Sequence, residues 1–169
     1  MSGCPTPSPI SAFWVPPVVQ ADPNRYLSDY ECAVDEKRRI RLPARWQAAG
    51  GRRDFELMVI AWVFPGQPPC LLALPPETWN ALTKTIWGLP LSDPRTERVR
   101  RVLATRSELI SLDSVGRLCL PQWLAEAAGI GSSALLVGRG DRFEVFSREV
   151  HAGVRAADSA CPEEAPQLI

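Results

Sequence analysis

The chain has 169 residues, of which 46% are hydrophobic and 22% charged, and its 19 basic residues balance 19 acidic ones. This composition is typical of a globular domain, lacks the net positive charge common in nucleic-acid binders, and contains no apolar run near the roughly 20 residues that span a membrane. Because His151 is the only histidine and the five cysteines are scattered without a Cys-x-x-Cys pair, catalytic triads, zinc knuckles and disulfide frameworks are all disfavoured.

Residues 1–24 are predicted to be an extension outside the folded domain. They are rich in proline, which disfavours regular secondary structure, and they lack the basic and apolar regions of a signal peptide. We therefore expect a cytoplasmic protein with a first half over residues 25–92, a second half over residues 93–151 and a flexible C-terminal tail over residues 152–169.

The first half is predicted to open with a β-hairpin. Strands over residues 30–34 and 39–42 flank a turn that begins at Asp35, and alternation along the second strand puts Arg39 and Arg41 on one face. The opposite face of that strand is apolar, so the hairpin has a core side and a basic side.

A short helix and a strand pair follow this hairpin. Pro43 is predicted to open the helix, which ends near Ala49. Two strands over residues 55–62 and 70–74 come next, and a helix over residues 77–87 closes the half.

The second half is predicted to begin with a helix that Asp93 caps and Pro94 opens. A strand over residues 108–112 then leads into Asp113-Ser114-Val115-Gly116, a turn sequence in which the aspartate can bond the backbone ahead and the glycine can take a positive φ. The chain resumes as a strand over residues 117–120.

The remainder of the second half repeats the plan of the first. Pro121 is predicted to open a helix that Gly129 ends. Strands over residues 134–137 and 143–146 then surround a turn over residues 138–141.

The two hairpins repeat one pattern at a constant spacing along the chain, which indicates two copies of one structural unit. The matched residues are Asp35 and Asp113, Arg39 and Arg117, Ile40 and Leu118, Leu42 and Leu120, and Pro43 and Pro121. The copies differ where Gly116 of the second corresponds to Arg38 of the first. Because an L-residue at positive φ costs on the order of 1 kcal/mol, the first turn is either mildly strained or of another type.

The second copy, Asp113-Ser114-Val115-Gly116-Arg117-Leu118-Cys119-Leu120-Pro121, resembles the signature of the MraZ family of bacterial transcription regulators. That signature is Asp-x-x-Gly-Arg followed by an apolar strand and proline, and the likeness extends over about residues 26–150. The resemblance implies an α+β fold in which two pseudo-repeat, AbrB-like halves form a small swapped-hairpin (double-psi) β-barrel with flanking helices.

The resemblance also implies a sequence-specific DNA-binding transcriptional regulator. It would act in the nucleoid on promoter direct repeats of a division and cell-wall gene cluster, as a ring-shaped homo-oligomer. An arginine guanidinium is a planar fork of donors that suits guanine or phosphate, so Arg39 and Arg117 are the predicted base contacts. The remaining predicted DNA-binding residues, which serve mainly phosphates, are Lys37, Arg38 and Arg41.

The predicted residues of the structural motif are Asp35, Asp113, Gly116, Pro43 and Pro121. We expect double-stranded DNA as the partner, with no catalytic residue, metal, cofactor, small-molecule substrate or membrane contact. The alternative is a ring-forming scaffold or antitoxin-like partner that keeps the fold without binding DNA, which the arginine at position 38 favours. The arginines of the helix after Pro94 are expected to form a solvated face or intersubunit salt bridges more readily than base contacts.

Overall fold

The computed structural model of the chain describes residues 25–47 and 56–160. The N-terminal extension, residues 48–55 and residues 161–169 lie outside the described part of the chain, so the predictions for them stay predictions. Within the described part, eight strands and five helices confirm the predicted α+β class. None of these helices has the length and apolar character needed to cross a membrane.

The first half contains β1 (Asp29–Ala33), β2 (Arg39–Arg41), α1 (Ala44–Gln47), β3 (Glu56–Trp62), β4 (Cys70–Leu74) and α2 (Pro76–Trp87). The second half contains α3 (Pro94–Thr105), β5 (Ser107–Ser111), β6 (Arg117–Cys119), α4 (Gln122–Ala127), β7 (Ser133–Gly138), β8 (Phe143–Phe146) and α5 (Arg148–Ala160). Apart from α5, for which the sequence predicted no counterpart, these elements agree with the predicted ones to within a few residues. Both later strand pairs and the Asp93 cap of α3, whose carboxylate accepts from the N–H of Arg95 at 2.8 Å, are confirmed. The strands and turns of both predicted hairpins are present, but the two strands of each hairpin belong to different sheets and meet only at one bridge, Val34 with Ile40 and Leu112 with Leu118.

The strands are exchanged between the two halves. Six of them form an antiparallel sheet in the order β1-β7-β8-β4-β3-β5, while β2 and β6 form a separate two-stranded sheet. The opening strand of each half therefore pairs with the other half, β1 with β7 and β5 with β3. Because neither half completes its own sheet, the two repeats fold around one shared core.

The residues of β3 are mostly apolar because both faces of this strand are buried. Leu57, Val59 and Ala61 lie in the main core, which also receives residues from both hairpins and from α4. Ile60 lies in a second cluster on the other face, under α2 and α3. A strand covered on two sides reads as a continuous apolar run, as the sequence Glu-Leu-Met-Val-Ile-Ala-Trp does.

The C-terminal part of the described chain corrects one prediction. The sequence predicts a flexible tail from residue 152, but α5 continues to Ala160. The Ser147 hydroxyl caps this helix by accepting from the N–H of Val150 at 3.3 Å, and His151 is buried with its ring 5.8 Å from that of Phe146. The cap and this buried contact anchor a helix whose later turns are mostly exposed.

The two prolines of the motif lie one position outside their helices. Pro121 is the N-cap of α4, not its first residue, and its carbonyl accepts from the N–H groups of Leu124 (3.1 Å) and Ala125 (3.2 Å). The carbonyl of Pro43 accepts from the N–H of Trp46 at 2.9 Å in the same way. Each proline therefore ends its hairpin and starts a helix.

Candidate nucleic-acid interface

The second hairpin turn is built around the carboxylate of Asp113. Its Oδ1 accepts from the N–H groups of Val115 (3.0 Å) and Arg117 (2.9 Å), and its Oδ2 accepts from Arg117 Nε at 2.6 Å. The N–H of Gly116 donates to the Asp113 carbonyl at 3.0 Å, which leaves Gly116 in the left-handed region at φ 77°. One side chain thus fixes both the turn and the arginine that follows it.

The first turn has the same geometry although it lacks the glycine. Asp35 accepts from the N–H groups of Lys37 (2.9 Å) and Arg39 (3.0 Å) and from Arg39 Nε at 2.6 Å. Arg38 lies at φ 57°, so the first of the two predicted alternatives is correct: the turn keeps its type and an L-residue adopts the left-handed conformation. Such a conformation costs roughly 1 kcal/mol.

Arg38 also forms a contact that a glycine could not form. Its Nε donates to the carbonyl of Leu120, a fully buried residue at the end of the opposite hairpin, at 3.1 Å. The equivalent carbonyl in the first half, that of Leu42, receives its side-chain hydrogen bond from Nε2 of Gln47. The two halves therefore supply the same hydrogen bond from different places, one from a turn and the other from a helix.

The end of the Gln47 side chain lies beside the glycine of the second turn. A Cβ at position 116 would lie 2.0 Å from Gln47 Oε1, so this side chain fills the space beside Gly116. The position equivalent to Gln47 in α4 is Ala125, whose side chain is small and carries no donor. Our sequence interpretation missed Gln47, since the only signal of its role is the alignment of the two repeats, which puts Ala125 at the matching position.

Pairing of β2 with β6 brings the basic residues of both hairpins onto one surface. Arg39 lies opposite Cys119, Ile40 opposite Leu118 and Arg41 opposite Arg117. The central pair is fully buried, and the strands alternate, so the flanking four side chains share the other face. We call this the β2–β6 outer face; its residues are Arg39, Arg41, Arg117 and Cys119.

Arg39 and Arg117 are held in a way that leaves most of their donors available. Each guanidinium bonds its aspartate through Nε only. Among the described residues, the terminal guanidinium nitrogens of these two arginines have no hydrogen-bond partner. The aspartates therefore orient two forks of donors without occupying them, and both predicted roles, the structural one for aspartate and the binding one for arginine, are compatible with one geometry.

The electrostatics of the turns support charged aspartates. The backbone hydrogen bond from Arg39 lowers the pKa of Asp35, and its side chain contributes in the same direction. The backbone hydrogen bond from Arg117 lowers the pKa of Asp113 in the same way. The charged form of both carboxylates is therefore favoured, which keeps the arginines oriented.

The other predicted contacts differ in exposure. Lys37 and Arg41 are exposed, whereas Arg38 is half-buried because its Nε reaches Leu120. Val115, the residue equivalent to Lys37, is 49% exposed at the tip of the second turn. Sequence reasoning assigned no role to this valine.

The arginines of α3 do not form one functional group. Arg100 donates through Nη2 to the carbonyls of Trp87 (2.7 Å) and Leu89 (3.1 Å) and lies 3.3 Å from a carboxylate oxygen of Glu97. It therefore ends α2 and joins it to α3, a role that the sequence interpretation did not anticipate. The exposed arginines of this helix are Arg95, Arg98 and Arg101.

Comparison with known proteins finds one family repeatedly. The family model described as "MraZ protein, putative antitoxin-like" matches residues 103–165. Proteins named "Transcriptional regulator MraZ" are similar over more of the chain. One from Roseiflexus castenholzii is 33% identical over 122 residues, which are 72% of this chain and 80% of that protein.

Two further relatives carry the same name. The Coxiella burnetii protein is 32% identical over 116 residues, 69% of this chain and 75% of its own length. The Marinobacter nauticus protein is 28% identical over 153 residues, 86% of this chain and 98% of its own length. Alignments of this length cannot fit within one half, so the similarity includes both repeats.

Proposed function

This chain belongs to the MraZ family, and we propose from that premise that it is a transcriptional regulator that binds double-stranded DNA through the β2–β6 outer face. The observation that carries the proposal is the pair of oriented arginines, Arg39 and Arg117. Each is fixed at Nε by an aspartate 2.6 Å away and each keeps its terminal nitrogens for a ligand. A non-enzymatic role agrees with the name of the relatives.

Base reading is assigned to Arg39 and Arg117 because a guanidinium can donate two parallel hydrogen bonds to guanine O6 and N7. A two-stranded antiparallel ribbon is narrow enough to enter the major groove. Preorganisation by Asp35 and Asp113 reduces the side-chain entropy that binding would otherwise cost.

Phosphate contacts are assigned to Lys37 and Arg41, with Arg38 contributing through the nitrogens that do not bond Leu120. These residues surround the base-reading pair and come from the first half. Phosphate contacts fix the orientation of a protein on the duplex without specifying sequence. They also make the affinity salt-dependent.

A closed barrel is the arrangement that we propose for the strands. Isolated bridges join Val34 to Ile40 and Leu112 to Leu118, at the points where β1 and β5 lead into the two-stranded sheet. Each edge of the six-stranded sheet thereby continues into β2 or β6. Closure would remove both exposed edges and give the swapped-hairpin barrel of the family.

A ring-shaped homo-oligomer is the assembly that we propose. Four exposed apolar side chains lie between the end of α2 and the middle of α3, and exposed apolar residues of this kind favour a protein contact. They are Trp87, Leu89, Leu91 and Val99. Repetition of one DNA-binding face in each subunit would combine weak contacts along promoter direct repeats in the nucleoid, and would compensate for a net charge of zero.

The assembly is tested by size-exclusion chromatography with light scattering. Leu91→Glu should reduce the mass of the particle, because Leu91 is 69% exposed and a carboxylate there would oppose apolar contact. Leu109→Glu, at a residue that is 54% exposed on β5, is the matched control. A monomeric wild-type protein would contradict the ring.

The DNA-binding function is tested by selecting bound sequences from a random pool and then measuring retardation of the selected DNA at several salt concentrations. We expect repeated short boxes, with affinity that falls steeply as salt rises. Arg41→Ala should weaken binding to all sequences alike and reduce the slope of log affinity against log salt concentration by about 1. Arg98→Ala on α3 should change neither the affinity nor this slope. Absence of binding at low salt by the folded protein would favour the scaffold or antitoxin-like alternative, which the description of the family model also mentions.

A further inference from the structure

The second hairpin turn carries an exposed apolar side chain beside an arginine that the proposed function assigns to base reading. Val115 is 49% exposed, and the N–H groups of Val115 and Arg117 both lie within 3.0 Å of the same oxygen, Oδ1 of Asp113. The valine is therefore held at a fixed position close to the arginine. Its β-branched side chain has little freedom of its own.

Comparison of the turns shows that this apolar tip is particular to the second half. The repeat aligns Val115 with Lys37, Gly116 with Arg38 and Cys119 with Arg41, so the second hairpin lacks three cations that the first carries. The backbone geometry of the two turns is the same, which means that the exchange of lysine for valine is not a requirement of the fold. It changes only what the turn offers to a ligand.

A second copy of the chain is a poor occupant for this tip. Val115 lies two residues before Arg117, so a protein surface that covers it also comes close to Arg117 and to its strand partner Arg41, and an identical face would repel them. DNA satisfies both requirements, because the major groove places the thymine C5-methyl group between two rows of phosphates. Successive bases are about 3.4 Å apart along a strand, so a contact beside that of Arg117 falls on a neighbouring base.

We propose that Val115 is a specificity-determining residue that contacts a thymine methyl group adjacent to the base bound by Arg117. This inference rests on the proposed function and extends it: the second turn reads a guanine and a neighbouring thymine, while the first supplies more of the phosphate contacts. The preference for thymine resides in apolar contact, and Arg117 supplies the hydrogen bonds.

The test replaces each thymine of the selected site by uracil, which lacks only the methyl group. For the wild-type protein, one replacement beside a guanine should lower the affinity about three- to fivefold, the loss expected for one buried methyl group. Val115→Ala should bind the thymine and uracil versions equally. Val115→Thr, which preserves shape and one methyl group, serves if the alanine variant folds poorly and should show a reduced difference.

A control variant and two further outcomes distinguish the role of Val115 from DNA binding itself. Val63→Ala, at a valine that is 37% exposed just after β3, should keep the full thymine preference. Binding of DNA without any thymine-to-uracil effect, or with the same effect in Val115→Ala, would overturn the role of Val115 and leave DNA binding intact. Failure of the wild-type protein to bind DNA at low salt would overturn both.

Discussion

The two hairpin turns share one hydrogen-bond geometry but carry different side chains. Asp35 and Asp113 form the same three hydrogen bonds, at 2.9, 3.0 and 2.6 Å in the first turn and at 3.0, 2.9 and 2.6 Å in the second. The residue before the arginine is left-handed in both turns, yet it is arginine in the first and glycine in the second. The shared element of this pair is therefore the aspartate clamp, and the glycine is one of two ways to meet the backbone requirement.

The difference between the turns is explained by what lies across from each. Gly116 faces Gln47, whose side chain fills the space and bonds the Leu42 carbonyl. Arg38 bonds the equivalent carbonyl, that of Leu120, from the turn itself. Where a helix glutamine bonds the buried carbonyl, the turn residue is glycine; where the helix carries alanine, the turn arginine supplies that bond. We therefore expect the two positions to be energetically coupled.

The largest effect is expected from removing the arginine of the second turn. Arg117→Ala should lower the affinity for the selected DNA about 10- to 100-fold, since a bidentate base contact contributes roughly 1–3 kcal/mol of discrimination. Arg39→Ala should lose less sequence preference, because we expect its half to supply more of the phosphate binding. Retardation with the selected site and with a scrambled site measures both.

Arg117→Lys is the control for charge. Lysine keeps the positive charge but lacks the paired planar donors of the guanidinium. The variant should therefore retain binding to the scrambled site and lose the preference for the selected one. Equal losses of preference in the variants at 39 and 117 would show that the two halves read DNA in the same way.

The next effect is expected from Gly116→Ala. A methyl group at this position displaces Gln47 and meets a left-handed φ, so the free energy of unfolding should fall by about 2 kcal/mol, roughly 1 kcal/mol for each cause. Urea denaturation monitored by tryptophan fluorescence measures it. Gly129→Ala, at a glycine with φ 65° and open space, is the matched control and should lose only the conformational part.

A smaller effect tests the exchange of donors directly. The double variant Arg38→Gly with Ala125→Gln copies the second arrangement into the first turn, and it should unfold with a free energy about 1 kcal/mol above that of the wild type because the left-handed arginine is gone. Arg38→Gly alone should change stability little, since relief of strain is offset by loss of the Leu120 bond. Non-additivity of the two substitutions is the signature of the pairing, and strict additivity would contradict it.

Much of this comparison could be predicted from the sequence, because it depends on local chemistry. The constant spacing of the repeats, the aspartate turns and the Asp93 cap can all be read from short stretches of the chain. Two features were missed although the sequence carries a signal for each: the local one of Ser147 before α5, and the alignment of the repeats, which puts Ala125 where the first half has Gln47. The roles of Gln47, Arg38 and Arg100 depend on particular backbone carbonyls that the folded chain brings near, and no periodicity or spacing specifies such partners.

The smallest effect is expected on the pH dependence of stability in acid, where the two turns should behave alike. Hydrogen bonds from Arg39 and Arg117 lower the pKa values of Asp35 and Asp113, so both clamps contribute stability that is fully present above the ordinary aspartate pKa of about 3.9 and is lost as the pH falls through the lower pKa of the folded state. Asp35→Asn and Asp113→Asn each keep a neutral acceptor and should each flatten the acid limb of the unfolding curve by a similar amount. A flattening confined to one variant would mean that the two clamps are unequal in solution.

Because the clamps orient the base-reading arginines, the same two variants should also lose selectivity for the preferred DNA at neutral pH, where their net charge is one unit more positive. A gain in general affinity with a loss of preference would separate orientation of the arginines from simple attraction to phosphates.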